Sequence, residues 1–333
     1  MIQLFDSYDD IISPANLLQA WQEFIIGKRH KPDVEQFSRH LMDNLLLLNS
    51  ELTCGSYRHE GYYNFAISDP KPRQIHKASV RDRVLNHAIY RSLYPFFDST
   101  FISDSYSCRV NKGTHAAMRR FQQFGARVSQ NYTRTGWVLK GDIKKFFASI
   151  DHSVLLEILD KRILDPKVME LLTVVIRSFE TAPDKGLPLG NLTSQLLVNV
   201  YMNEFDQFVK HQLKADHYIR YADDFVLFSS DHDWLLPQIS LMGDFLEDRL
   251  KLTLHPDKII LQTLASGIDF LGWVNFPHHQ VPRTSTKQRM FRRLERSGSA
   301  ATLQSYLGLL SHGDTFELGQ EVLNKQWLWS EEK

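Results

Sequence analysis

The chain has 333 residues, 43% of them apolar and 12% aromatic, and its 39 basic side chains balance 39 acidic ones. This composition excludes a disordered chain and leaves room for two or three lobes, each with its own core. Two cysteines, Cys54 and Cys108, are too few for a disulfide framework or a structural zinc site.

The opening MIQLFDSYDD has neither the basic nor the apolar region of a secretory signal. Residues 1–50 read as helical, with Pro14 near a helix start and an apolar period through Leu17, Leu18, Trp21, Phe24 and Ile25. A Pro-rich polar stretch at 68–73 separates this region from VRDRVLNHAIYRSLYPFF, whose apolar face is Val80, Val84, Leu85, Ala88, Ile89 and Leu93. A polar loop at 107–113 precedes a helix from about Thr114. Residues 137–140 form a short strand, 151–180 are mostly helical, and a Gly/Pro loop at 186–190 leads into a helix over about 194–214. The segment HYIRYADDFVLFSSD then reads as two strands around an Ala222-Asp223-Asp224 turn. A helix over 234–250, short strands at 258–263 and 269–275, and a small helical bundle from about 284 complete the order, which specifies an α+β fold. No apolar run reaches the length of a membrane span, so a soluble cytoplasmic protein is expected.

Charge is uneven along this order. Residues 1–60 carry 9 acidic and 5 basic side chains, whereas 71–145 carry 15 basic and 4 acidic. A second basic cluster at 283–296 holds Arg283, Lys287, Arg289, Arg292, Arg293 and Arg296 against Glu295. Two basic surfaces on a neutral chain fit a locally held polyanion as well as they fit a solvated face.

Asp223 and Asp224 put two like charges side by side at a hairpin tip. Asp is common in turns, and the alternative is a metal site. A third carboxylate, Asp142, stands 81 residues upstream, directly after the strand at 137–140, where it also reads as a helix N-cap. A few carboxylates plus substrate phosphate oxygens are what Mg²⁺ favours. A strand-end Asp facing a hairpin-tip pair could hold two ions, one activating a hydroxyl and the other stabilising a leaving pyrophosphate.

Seven segments in order, PRQIHKASVRDRVLNHAIY, FISDSYSCRVNKGTHAA, LKGDIKKFFASIDH, GLPLGNLTSQLLVNVYMNEFD, YADD, LHPDKI and FLGW, resemble a reverse transcriptase. The resemblance implies a right-hand polymerase: a helical extension at 1–68, fingers at 69–136, a palm at 137–280 with fingers contributions around 151–190, and a helical thumb at 281–333. It implies that Asp142, Asp223, Asp224 and the Ile143 carbonyl hold two Mg²⁺ ions, with Mn²⁺ as a substitute. Phe147 would be the ring that excludes a ribose 2′-hydroxyl. Lys71 and Arg73 would hold the triphosphate, Lys258 would lie on the pyrophosphate side, and Leu189 and Gln195 would line the dNTP site. Phe270, Leu271, Gly272 and Trp273 would grip the primer, although plain core packing explains them nearly as well. Arg109, Lys112 and Gly113 would follow the template, and Arg289, Arg292, Arg293 and Arg296 would face duplex, giving salt-dependent and largely sequence-independent affinity.

In GLPLGNLTSQ, Leu189-Gly190 stands where most reverse transcriptases have Gln-Gly, and Ser194-Gln195 where they have Ser-Pro. This form resembles the enzymes of diversity-generating retroelements, bacterial or phage-encoded, which copy a template-repeat RNA with errors at adenines. A Gln amide could hydrogen-bond the sugar and Leu cannot. One such bond contributes about 0.5–1.5 kcal/mol, up to roughly tenfold in discrimination. The same resemblance implies template RNA, a DNA primer and dNTPs as partners, together with a small basic homopentameric accessory protein. A group II intron enzyme usually continues into a maturase region beyond the thumb, whereas this sequence stops at Lys333. The alternatives are a related polymerase used in antiphage defence, group II-like or untemplated synthesis, and a non-catalytic RNA-binding scaffold, which would have no reason to crowd repelling carboxylates.

Overall fold

A computed structural model describes residues 7–68, 72–297 and 299–331. Helices Tyr8–Ile12, Pro14–Phe24, Pro32–Arg39 and Leu41–Thr53 form the amino-terminal region, as its periodicity requires. Ser13 caps the second of them with Pro14 in its first turn, and Leu17, Ala20, Trp21 and Phe24 are its buried residues. They share one core with Val84, Leu85, Ala88 and Ile89 of helix Val80–Thr100.

Strands β1 (Tyr62–Ile67) and β2 (Arg73–Ala78) pair antiparallel, from Tyr62 opposite Ala78 to Ile67 opposite Arg73. The sequence at 68–73 reads only as a separator. The strands end at Ile67 and resume at Arg73, and every residue in them but Ala78 is exposed or half-buried, which leaves no clean alternation to detect.

Strands β3 (Trp137–Gly141), β4 (Tyr218–Tyr221), β5 (Asp224–Ser229) and β6 (Ile260–Thr263) form an antiparallel sheet in the order β4-β5-β3-β6. Helix packing covers both of its faces. Leu139, Phe225 and Leu227 join the core that holds helix Leu192–Gln207, while Val138, Val226 and Phe228 pack with Phe121 and Phe124 of helix Thr114–Val128. A strand covered on both faces needs apolar residues at successive positions, which is why FVLF does not alternate.

Three boundaries differ from the sequence reading. The hairpin turn has two residues, because Tyr221 pairs with Asp224, which is therefore the first residue of β5. Pro256–Lys258 is a 3₁₀ turn, so β6 starts at Ile260 rather than at 258. The single strand expected over 269–275 is two, β7 (Ile268–Phe270) and β8 (Trp273–Asn275), joined through Leu271 and Gly272 at φ 51° and 91° and followed by β9 (Gln280–Pro282). Two positive φ values are what a tight hairpin turn needs. Helices Thr284–Ser297, Ala300–Leu310 and Phe316–Glu331 then pack around Met290, Leu294, Leu310 and Val322. The α+β fold is the one the element order specifies.

Candidate active site

Gly141 is the residue that brings the aspartates together. A Cβ at Gly141 would lie 2.3 Å from the Phe225 ring, so only glycine lets that ring lie across this end of β3. Gly141 pairs with Phe225, which places Asp142 and Asp224 side by side at one end of the sheet, with Asp223 in the adjoining turn. Asp142 caps nothing: the next helix, Phe146–Ser149, is preceded by Lys145 and has no side-chain cap. Asp142 is 8% exposed, and the other two carboxylates are half-buried.

Burial, together with the charges of Asp224 and Asp142, pushes Asp223 up to about 6. Burial also raises Asp224, partly offset by Lys140. Two lysines moderate this repulsion. Lys258 Nζ donates to Asp142 Oδ1 at 2.8 Å, and Lys140 Nζ lies 3.7 Å from Asp224 Oδ1 while donating to the Asp269 carbonyl. Three carboxylates and backbone carbonyls form an all-oxygen donor set, which suits a hard divalent cation. Ile143 pairs with Leu254 through hydrogen bonds made by Lys144 and by the Asp142 carbonyl, so its own carbonyl faces away from that partner.

The turn has a support that the sequence reading misses. Arg220 and Asp206 are both 0% exposed and form a two-bond ion pair, with Nε and an Nη each 2.7 Å from a carboxylate oxygen. The other Arg220 donors reach Asn199 Oδ1, Ser105 Oγ and the Ala222 carbonyl, and the Tyr218 hydroxyl donates to Asp206. Arg220 thereby grips the residue that precedes Asp223, and Ala222 is held at φ 56°. The available signal was a charged residue inside an apolar strand, where a charge is tolerated only when paired.

One backbone run connects the other positions that the sequence reading expects near the nucleotide. Phe147 is half-buried against Phe146, and its carbonyl accepts from the Leu187 amide at 2.8 Å. Two residues on, the Leu189 carbonyl accepts from the His76 amide of β2 at 3.0 Å. Gly190, at φ 111°, lets the chain pass Ile75, whose Cγ2 a Cβ would approach to 3.1 Å. Arg73 is exposed at the start of β2, and Lys71 lies outside the described residues. Gln195 lines a cleft of about 330 Å³ with Ile75, Lys77, Arg83 and Gly190.

The reverse transcriptase (RNA-dependent DNA polymerase) family model matches residues 68–274, a span that contains the aspartates, the turn and this loop. The chain belongs to the reverse transcriptase family. It is similar to the protein YkfC of Escherichia coli, at 27% identity over 73% of this chain and 75% of that one. It is also similar to the group II intron-encoded protein LtrA of Lactococcus lactis, at 21% identity, covering 61% of this chain and 44% of LtrA. A putative COX1/OXI3 intron 2 protein of Saccharomyces cerevisiae is 19% identical over 72% of this chain and 34% of its own length. The chain thus spans less than half of the intron-encoded relatives. Membership makes it an RNA-directed DNA polymerase, with a nucleic-acid template and dNTPs as substrates and divalent metal ions as the family's cofactors. No described helix is long and apolar enough to cross a membrane.

Several expected contact residues of this reverse transcriptase have internal partners. Arg109 donates to Asp98 and to the carbonyls of Ile102 and Ser105, so its guanidinium shapes its own loop. Lys112 donates to the Ser103 carbonyl and lies over the Tyr106 ring, and Gly113 supplies φ 100° before helix Thr114–Val128. FLGW divides by burial: Phe270 stacks on Phe121 and Trp273 is buried, whereas Leu271 and Gly272 are half-exposed at the turn. Met290 and Leu294 take the inner face of helix Thr284–Ser297, leaving Arg292, Arg293 and Arg296 exposed and Arg289 half-exposed.

Proposed function

We propose that the chain synthesises cDNA on a template-repeat RNA, with frequent errors opposite adenines, as the polymerase of a diversity-generating retroelement. The observation that carries the polymerase chemistry is the junction of Asp142 with the Asp223-Asp224 turn across Gly141 and Phe225. In this reading Asp142, Asp223, Asp224 and the Ile143 carbonyl hold two Mg²⁺ ions, for which Mn²⁺ can substitute. When bound, these ions would activate the primer 3′-hydroxyl and shield the departing pyrophosphate. Lys258, seated on Asp142, supplies a nearby positive charge on the pyrophosphate side. Arg73, beside Lys71, holds the triphosphate, and Phe147 bars a 2′-hydroxyl. Fingers at 69–136, palm at 137–280 and thumb at 281–333 complete the reading, with the exposed arginines of the last facing duplex.

The branch rests on Leu189. Its carbonyl is tied to β2, the strand that begins at Arg73, which supports reading it as a neighbour of the incoming nucleotide. An apolar side chain there removes a hydrogen bond that a Gln amide would offer the incoming sugar. The accessory partner of this reading is a small basic homopentamer, and the acidic excess of residues 1–60 complements it. Similarity to LtrA favours a second reading, a polymerase of group II-like use.

Sequencing of cDNA made by the purified chain on a defined RNA, with Mg²⁺ and dNTPs, tests both readings. Errors concentrated opposite adenines, and reduced severalfold by Leu189→Gln, are the expected result. Rare and evenly spread errors, unmoved by Leu189→Gln, would assign the enzyme to the second reading. In the same assay Phe147→Val should raise ribonucleotide incorporation by at least about tenfold, the factor a lost steric clash of about 1.4 kcal/mol allows. Unchanged sugar selection would remove Phe147 from that role.

A further inference from the structure

A second and chemically different cluster, which shares no residue with the aspartates, follows Phe147 in the chain. His152 opens helix His152–Asp160 and is completely buried. Its Nε2 lies 2.7 Å from the Gly186 carbonyl oxygen. A carbonyl only accepts, so Nε2 carries the proton of the neutral ring and Nδ1 presents a lone pair. Nδ1 has no hydrogen-bond partner. It faces Asp184 Oδ1 at 3.9 Å, and Glu180 completes a group whose three ligand atoms all lie within 4.8 Å of one another. A buried lone pair aimed at two carboxylates is left without a partner, and a cation set between the three groups would satisfy all of them.

Three observations favour the cation. A 3.9 Å separation is too long for a direct hydrogen bond, yet it falls within twice the Zn–N or Zn–O length of about 2.0–2.2 Å. The Nε2 contact with a backbone carbonyl is the outer interaction that fixes the tautomer of a metal-binding histidine. The carboxylates are themselves oriented: Ser153 Oγ donates to Asp184 Oδ2 at 2.6 Å, and the Asp184 amide donates to Glu180 Oε1 at 3.3 Å. One imidazole with two carboxylates suits a borderline ion better than Mg²⁺.

We propose that His152, Glu180 and Asp184 bind one divalent transition-metal ion of the Zn²⁺ type, at a structural site separate from the catalytic aspartates. The ion clamps the loop before Gly186 to the start of helix His152–Asp160. The Asp184 carbonyl already accepts from the His152 amide at 3.0 Å, and the Gly186 and Leu187 amides donate to the carbonyls of Ile150 and Phe147 at 2.8 Å each. Occupancy therefore stiffens the backbone behind Phe147 without touching the reacting atoms.

The test uses the full chain, stripped with a chelator and titrated with Zn²⁺ by calorimetry, with bound metal counted after gel filtration. Asp223→Asn is run alongside, because it alters the aspartate site and leaves this one intact. The double variant Glu180→Gln/Asp184→Asn changes two side chains on the accessible side of the cluster and spares buried His152. One equivalent should bind to the wild type and to Asp223→Asn, and at least tenfold more weakly to the double variant. Substitution with Co²⁺ should give visible absorption bands of a nitrogen-ligated ion that the double variant lacks. An equivalent that the double variant retains undiminished would overturn the site. So would the absence of uptake at micromolar Zn²⁺.

Discussion

Asp223→Asn should make the metal-free protein more stable while reducing DNA synthesis by at least about 10³-fold, the size of several kcal/mol of lost charge stabilisation. The two effects have one origin. Burial and the charges of Asp224 and Asp142 raise Asp223 from 3.8 to about 6. Between about pH 4 and pH 6 its folded state holds a proton that the unfolded chain has already released. Stability from this group is therefore fully present below about pH 4, is lost as pH rises towards 6, and stays lost above it. Solvent reaches this half-buried carboxyl, so the recoverable amount is about 1–2 kcal/mol. Asn removes the penalty and, with it, the means of holding a cation. Thermal unfolding at pH 5 and pH 8, with and without Mg²⁺, measures both. The wild type should gain stability from Mg²⁺ at pH 8, whereas the Asn variant should gain far less. Equal stabilisation of the two by Mg²⁺, or retained synthesis by the variant, would sink the metal assignment of Asp223.

The largest effect on folding is expected at Arg220, whose guanidinium is shared among Asp206, Asn199, Ser105 and the Ala222 carbonyl. Arg220→Ala leaves the Asp206 carboxyl fully buried with only the Tyr218 hydroxyl as a side-chain partner. The cost should be about 3–5 kcal/mol, as for a buried pair broken on one side. Arg220→Met with Asp206→Leu removes both charges and should recover most of that stability. It should not recover synthesis, because the Ala222 carbonyl still lacks its anchor and the turn carrying Asp223 loosens. Urea unfolding and primer extension on the three proteins separate these effects. A double variant as active as wild type would reduce Arg220 to a core residue. A loss below about 1 kcal/mol in Arg220→Ala would show that the pair adds little to the fold.

Arg220 also illustrates where sequence reasoning stops. YADD was conspicuous because two like charges interrupted an apolar hairpin, whereas its support is distributed over residues 105, 199, 206 and 220, with no local pattern to join them. Asp142 stood out for its place after a short strand, and its alternative reading as a helix cap fell only when Lys145 was found preceding the helix. Arg109 had a charge and a loop position suited to a template, and the structure commits its guanidinium to Asp98 and two carbonyls. Nothing in SIDHS distinguishes His152, since the atom that matters there is defined by Gly186 on one side and Asp184 on the other.

By itself, then, the sequence determined the α+β class, most of the helices and the central hairpin, and it singled out three aspartates as candidates for the chemistry. Those features follow from short-range rules: periodicity, turn residues, and the cost of placing charge beside charge. Tertiary structure alone decided which cations face outward, how Gly141 admits the Phe225 ring, which partners hold the hairpin turn, and that His152 meets two carboxylates. Burial and hydrogen-bond partners depend on segments that lie tens of residues apart in the chain. Whether a side chain is free to act is settled only when those segments meet.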